Sequence, residues 1–287
     1  MTPPTSTPVT PNSRVALVTG ANSGIGRVTA VELALRGYHV FLACRDAGKT
    51  AEVLDEIAQS SGGTARAEFI ALDLGDLGSV RQCAQAFNAR QLPLHLLVNN
   101  AGLAGQKGFT KSGFELAFGV CHVGHFLLTQ LLLDRLKQAA PSRVVVVASR
   151  AHRHAKGIDF TAVRQPSRSR GGLMDYSVAK LANILFAAEL GRRLAGTGVT
   201  TYALHPGVVG TNVWRSVPWP LDRLVKLFMI DSEEGAKTTL YCATSDAVAQ
   251  QSGLYYVKSA VATPTPVARD AALAQALWTA SEVWTKD

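Results

Sequence analysis

The chain has 287 residues, 47% of them apolar, 17% charged and 7% aromatic, with a formal charge of +8 at neutral pH. A chain of that length builds a large core without disulfide or metal staples. Its cysteines (Cys44, Cys83, Cys121 and Cys242) form no C-x-x-C pair, which argues against a disulfide framework and a structural zinc and for a reducing, cytoplasmic setting. No apolar run approaches a membrane span, and no nucleic-acid motif accompanies the positive charge.

Residues 1–13, with Pro3, Pro4, Pro8 and Pro11 among Thr and Ser, read as a disordered lead-in and lack the basic start and apolar run of a secretory signal. From Arg14 onward, short apolar runs alternate with amphipathic stretches. Val15–Val18 predicts a strand, 24–36 a helix, Val40–Ala43 a strand and 47–60 a helix. Phe69–Leu72 and Leu94–Val98 predict strands on either side of a helix over 77–90. The segment 112–138 predicts a long helix, Val144–Val147 a wholly apolar strand, and 268–284 a terminal packing helix. Runs apolar on both sides suit a parallel sheet covered on both faces. The expected fold is α/β, a single doubly wound parallel sheet of the Rossmann type with helices on both faces, filling 14–287 without linker or repeat. Ligands of such sheets sit at the carboxyl ends of the strands.

Two motifs lie at such ends, and a third lies on a helix. Gly20, Gly24 and Gly26 in Thr19-Gly-Ala-Asn-Ser-Gly-Ile-Gly26 join the first strand to the first helix. Glycines let the backbone approach a pyrophosphate, and the helix N-terminus offers it free N–H groups, so Gly20, Asn22, Ser23, Gly24, Ile25 and Gly26 form a candidate phosphate cradle. At the end of the second strand, dinucleotide folds that select NAD carry a carboxylate for the ribose 2′-hydroxyl. Here Cys44 stands there, and Arg45 follows, able to take a 2′-phosphate bidentately, so NADP(H) is the expected cofactor. Asp46, one residue on, is the rival to that reading. Finally, Tyr176 and Lys180 share one helix face, where an ammonium stabilises a phenolate and makes the tyrosine an acid/base near neutrality. Ser149, just past an apolar strand, can donate to a substrate oxygen.

Together with Asn99-Asn-Ala-Gly102, these motifs resemble the short-chain dehydrogenase/reductase family over nearly all the chain after the tail. Leu42–Asp46, Gly124–Thr129, Lys180–Asn183 and His205–Val209 look like its retinol dehydrogenase and protochlorophyllide reductase branch. The resemblance implies an oxidoreductase that transfers hydride between nicotinamide and a carbonyl or alcohol. Tyr176 would be the general acid, Lys180 would bind the nicotinamide ribose and tune that acid, and Ser149 would orient the carbonyl. Asp73, with Leu74, would meet the adenine, and Asn99 the adenine ribose, beside Ala101 and Gly102. Pro206, Gly207, Val209 and Thr211 would hold the nicotinamide. Tyr176 lies 27 positions after Ser149, more than the usual family gap, and the segment between them contains a basic cluster, Arg150, Arg153, Lys156, Arg164, Arg168 and Arg170, readable as a solvated loop or an anion-attracting surface.

The sequence departs from the family at Cys121-His-Val-Gly-His125, where an Asn usually stands and supports, mainly through its backbone carbonyl, a water linked to the lysine. Cysteine keeps the carbonyl and loses the amide, so Cys121 is included with the catalytic residues. Two alternatives stay open with it: an NADP(H)-binding sensor, and a non-redox enzyme using Tyr176 for cyclisation or dehydration. Cys121 and His125 share a helix face but find no further ligands, so no metal is expected. His152 and His154 read as loop residues. The stretch 212–232 reads as a substrate lid, and Trp214, Trp219 and Phe228 there favour a hydrophobic, retinoid-, steroid- or polyketide-like substrate. The same stretch also fits an amphipathic patch against a membrane or partner subunit. Self-association into a homo-oligomer stays open.

Overall fold

The computed structural model describes residues 14–167, 169–207 and 231–286. The expected roles of Val209, Thr211, Trp214, Trp219 and Phe228 therefore fall outside the described residues, as does nearly all of the expected lid.

In chain order the elements are β1 Val15–Thr19, α1 Gly24–Leu35, β2 His39–Cys44, α2 Ala47–Ser60, β3 Arg66–Ala71, α3 Leu77–Asn88 and β4 Leu96–Asn99. There follow α4 Leu116–Gln138, β5 Ser142–Val147, α5 Leu173–Arg193 and β6 Val199–His205. The last are α6 Ser232–Thr244, β7 Leu254–Val257, β8 Ala260–Val261 and α7 Ala271–Trp284. The sheet order is β3-β2-β1-β4-β5-β6-β7-β8, parallel throughout except for the β7–β8 hairpin. Strand alternation divides the core: Val15, Leu17 and Phe41 enter one apolar layer with α3, α4, α5 and α7, whereas Ala16, Val18 and Leu42 enter the other with α1, α2 and α6. The doubly wound α/β sheet expected from the apolar runs is thus the fold. Its order reverses between β1 and β4, and that reversal opens a crevice at their carboxyl ends.

Two elements differ from expectation. β3 starts at Arg66 rather than Phe69, because this edge strand is only half-buried and needs no apolar run. The helix expected over 112–138 begins at Leu116, since Thr110 and Phe114 close a loop through reciprocal bonds, Thr110 N–H to the Phe114 carbonyl at 2.8 Å and Phe114 N–H to Thr110 Oγ1 at 3.0 Å. The Glu115 carboxylate then caps the helix by accepting from Phe118 N–H at 2.8 Å. By length and composition α4 would suffice to cross a membrane, but 72% of its apolar window is buried within this fold.

Candidate active site

A cleft of about 640 Å³ runs along the carboxyl ends of the strands. At one end, β1 stops at Thr19 and Gly20 turns the chain with a φ of +65°, its N–H bonded to the Ala43 carbonyl at 2.9 Å. Ser23 occupies the N-cap of α1, yet its hydroxyl caps nothing, so it and the first N–H groups of the helix are available to an anion. Gly20, Asn22, Ser23, Gly24, Ile25 and Gly26 all line the cleft. At Gly26 a Cβ would lie 2.3 Å from the Gly20 carbonyl oxygen and 2.4 Å from Asn100 Nδ2, so only glycine lets helix and turn close up. Gly26→Ala is expected to lower the melting temperature by roughly 5–10 °C and to abolish nucleotide binding, checked by thermal unfolding and by titration with NADPH.

At the end of β2, the Cys44 thiol is buried beneath the turn and accepts from the Ala21 and Asn22 amides. Arg45 is exposed, lines the cleft and makes no ion pair with a described residue. The Asp46 carboxylate caps α2, accepting from Lys49 N–H at 3.0 Å, and sits 3.5 Å from Lys49 Nζ. Those contacts hold the Asp46 carboxyl below its usual range. Lys49 itself lines the cleft, a cation that sequence reasoning did not single out. Asp73 and Leu74 line the adjoining wall, with Asp73 Oδ1 fixed by Gly75 N–H at 2.9 Å.

The Asn99 assignment is corrected. Its side chain turns under the sheet to Thr129 on α4, donating from Nδ2 at 2.9 Å, and its neighbour Asn100 lines the cleft with Ala101 and Gly102. Strand alternation is the reason: adjacent side chains take opposite faces. Asn100 Nδ2 donates to the Thr19 carbonyl at 2.8 Å and so braces the turn. Pro206 and Gly207 line the far end, as does His205, the first residue of the His205–Val209 motif, to which the resemblance gave no role.

At that end α5 presents Tyr176 and Lys180 one turn apart, both lining the cleft with Ser149. Lys180 Nζ donates to the Val147 carbonyl at 2.7 Å, shared with Asn183 Nδ2 at 3.2 Å, and lies 5.5 Å from the Tyr176 ring centroid. Ser149 Oγ accepts from Ala151 N–H at 3.1 Å, caps a short 3-10 turn and hydrogen-bonds with Tyr176. The phenol departs from expectation. Burial, with Cys121 nearby, pushes the Tyr176 phenol above its ordinary range, and only the Ser149 bond opposes this. Burial likewise pulls the Lys180 ammonium down. The ammonium is engaged by a backbone carbonyl rather than by the phenol oxygen, so the tyrosine is held as a protonated acid.

Cys121 is corrected too. It lies one layer behind the cleft, within a π turn over Gly119–Val123, its thiol 3.9 Å from the Leu103 carbonyl. A Cβ on Gly102 would meet Cys121 Sγ at 3.2 Å and Lys180 Nζ at 3.4 Å, so thiol and ammonium back the same glycine. His122 and His125 diverge, His122 Nε2 to Ser281 Oγ and His125 Nε2 to Thr19 Oγ1, each at 2.8 Å.

One end of the crevice suits a dinucleotide's phosphates, and the other sets a protonated phenol and a hydroxyl where a reacting carbonyl would lie. That division of labour defines a nicotinamide-dependent oxidoreductase. Residues 14–219 match the family model described as short chain dehydrogenase, and the chain belongs to that family, in its retinol dehydrogenase-like branch. Human retinol dehydrogenase 12 is 44% identical over 273 residues, covering 93% of this chain and 85% of that protein. A solved structure of an uncharacterised Mycobacterium paratuberculosis protein superposes with a TM-score of 0.75 at 36% identity, covering 95% of this chain and 93% of that one. Another, from Beutenbergia cavernae and described as an NAD(P)-dependent gluconate 5-dehydrogenase with bound NADP, gives 0.69 at 26% identity, with 85% and 94% covered.

Proposed function

We propose that the protein is an NADPH-dependent carbonyl reductase or alcohol dehydrogenase acting on a hydrophobic carbonyl or alcohol of retinoid-, steroid- or polyketide-like character. The observation that carries the cofactor choice is the end of β2. The position that would bear an NAD-selecting carboxylate is a buried cysteine, the next carboxylate, Asp46, is committed to a helix cap, and Arg45 and Lys49 line that stretch of cleft. Arg45 and Lys49, with Asp46 committed to its cap and the exposed Glu52 the one further acid that α2 gives the described cleft lining, favour a 2′-phosphate over a 2′-hydroxyl.

The nicotinamide nucleotide supplies the hydride when bound. The chain's own residues hold and polarise the other reactant. Ser149 is placed to donate to the substrate oxygen, and Tyr176, kept protonated by burial, is placed to deliver a proton to that oxygen. Lys180, anchored on Val147 O, holds its amine in the same wall. Leu103, Leu116 and Val120 line the cleft, and Phe109, Leu173 and Met174 are exposed apolar residues in the described fold. Those side chains, with the likeness to human retinol dehydrogenase 12, support an apolar substrate. The sensor and non-redox alternatives rested on Cys121, which lies outside the cleft lining. Four free, buried cysteines support placement in the reducing cytoplasm.

Arg45→Ala is expected to raise KM for NADPH by about 10- to 100-fold and to leave KM for NADH unchanged, the scale of a lost charge-assisted contact. Steady-state kinetics with both nucleotides and a panel of ketones, aldehydes and retinal checks it. Equal losses with NADPH and NADH would remove the 2′-phosphate reading, and binding without turnover of any substrate would return the sensor.

A further inference from the structure

At Gly119–Val123 the hydrogen bonds of α4 skip to the fifth residue, and this widened turn carries Cys121 to its place behind Gly102 and Lys180. His125, one helical turn further on and buried, bridges from this turn to the mouth of the phosphate cradle. Its Nδ1 lies 3.0 Å from the Cys121 carbonyl, which can only accept, so Nδ1 carries the proton. A neutral imidazole then has a bare Nε2, and the Thr19 hydroxyl, 2.8 Å away, donates to it in preference to the Val98 carbonyl at 3.3 Å. With its proton so committed, Thr19 Oγ1 is left to accept from Asn100 N–H at 2.9 Å and Ala101 N–H at 3.0 Å. Burial keeps the imidazole neutral, with its pKa down to about 4, so the proton pattern is stable at working pH. A second tie runs in parallel: Thr129 Oγ1 donates to the His125 carbonyl at 2.7 Å and accepts from Asn99 Nδ2.

We infer that His125 is a positioning residue for both halves of the site. Its Nδ1 sets the π turn that places Cys121 beside Lys180, and its Nε2, through Thr19, sets the Asn100–Gly102 wall of the nucleotide cleft. Neither His125 nor Thr19 lines the cleft, so the imidazole acts through its neighbours. The inference rests on the reading of this cleft as the NADPH site.

The two ends of the imidazole can be cut separately. In His125→Asn an amide stands near the place of Nδ1, close enough for Cys121 and short of Thr19. In His125→Gln the amide reaches Thr19 and leaves the Cys121 carbonyl unmet. Thr19→Val severs the Thr19 link from its other end. NADPH binding is read by fluorescence titration, and local opening by hydrogen exchange with mass spectrometry on peptides covering 97–103 and 116–124, with melting temperatures alongside. His125→Asn and Thr19→Val should weaken NADPH binding about tenfold and speed exchange in 97–103. His125→Gln should bind NADPH within threefold of the parent and speed exchange in 116–124 instead. A merely structural role would lower the melting temperature and raise exchange in both peptides alike, whichever amide is present. The same pattern in both His125 variants, or no change in either, overturns the inference. Should the parent chain fail to bind NADPH, the cofactor reading falls, and the exchange pattern still decides whether His125 joins the two walls.

Discussion

Replacing Tyr176 by phenylalanine is expected to lower kcat for carbonyl reduction by about 1,000-fold while NADPH binds within about twofold of the parent. The substitution removes one oxygen and leaves the ring in its half-buried seat on α5, so Lys180 keeps its bond to the Val147 carbonyl and the cleft keeps its shape. What disappears is the proton donor and its bond with Ser149. Removing a positioned acid costs about 100- to 10,000-fold in general, and among the described residues no second acid takes its place: the Asp175 carboxylate accepts from Ser167 and Ser169, and the Ser149 hydroxyl, a far weaker acid than a phenol, orients the carbonyl without protonating it. The direction of the phenol's shift adds a pH signature. A tyrosine raised above its ordinary range stays protonated across neutral pH, so the pH–rate profile of reduction should be flat from about pH 6 to 9. Stopped-flow measurement of NADPH oxidation with a saturating aldehyde tests both. A variant retaining a tenth of the parent rate would take the acid role away from Tyr176.

Acid should begin to destabilise this protein at a pH above the range in which its carboxylates titrate. Burial holds His122 neutral with a pKa down to about 3, and His125 and His205 down to about 4, against an unfolded value near 6.5. The folded pKa is therefore depressed, and between the two values the unfolded chain binds more protons. Stability is fully present above about pH 6.5 and falls as pH drops through the window, to about 4 for His125 and His205 and about 3 for His122. At pH 5 each of these imidazoles costs about 2 kcal/mol, on the order of 6 kcal/mol together, against a total stability of about 5–15 kcal/mol. Glu115, raised by burial, pulls the other way as it gains a proton, and reduces the sum without reversing it. A fall in melting temperature of about 10–20 °C between pH 7.5 and 5 is expected, measured by calorimetry or circular dichroism. His122 lies in an aromatic nest of Phe118, Phe126 and Phe186, where a charge would be costly. A melting temperature that moves by less than about 3 °C would mean that these imidazoles are reached by water in the folded state.

The glycine spacing and the Tyr176/Lys180 interval were legible in the chain because each is local. A turn that needs glycine, or an i, i+4 pair on a helix, involves residues only a few positions apart. The apolar runs of β1, β2 and β5 were legible for a similar reason, since strands buried on both faces must be apolar throughout. The C-terminal hairpin was not. β7 and β8 turn through Lys258 and Ser259 at φ of +52° and +57°, where no Asn-Gly signal announces the turn. Which of two adjacent asparagines faces the cleft could not be read either, because both are polar and only the sheet assigns their sides.

By itself, then, the order of residues determined that this chain forms a doubly wound sheet, that a phosphate-cradling turn ends its first strand, and that a tyrosine and a lysine share one face of a later helix. Only the tertiary structure decided that Asp46 caps α2, that Cys121 stands behind the wall of the cleft, that Asn100 lines that cleft, and that burial keeps the Tyr176 proton in place. The physical reason is common to all four. Hydrogen-bond partners and desolvation depend on groups brought together from distant parts of the chain, and no local pattern of residues records which of them will meet.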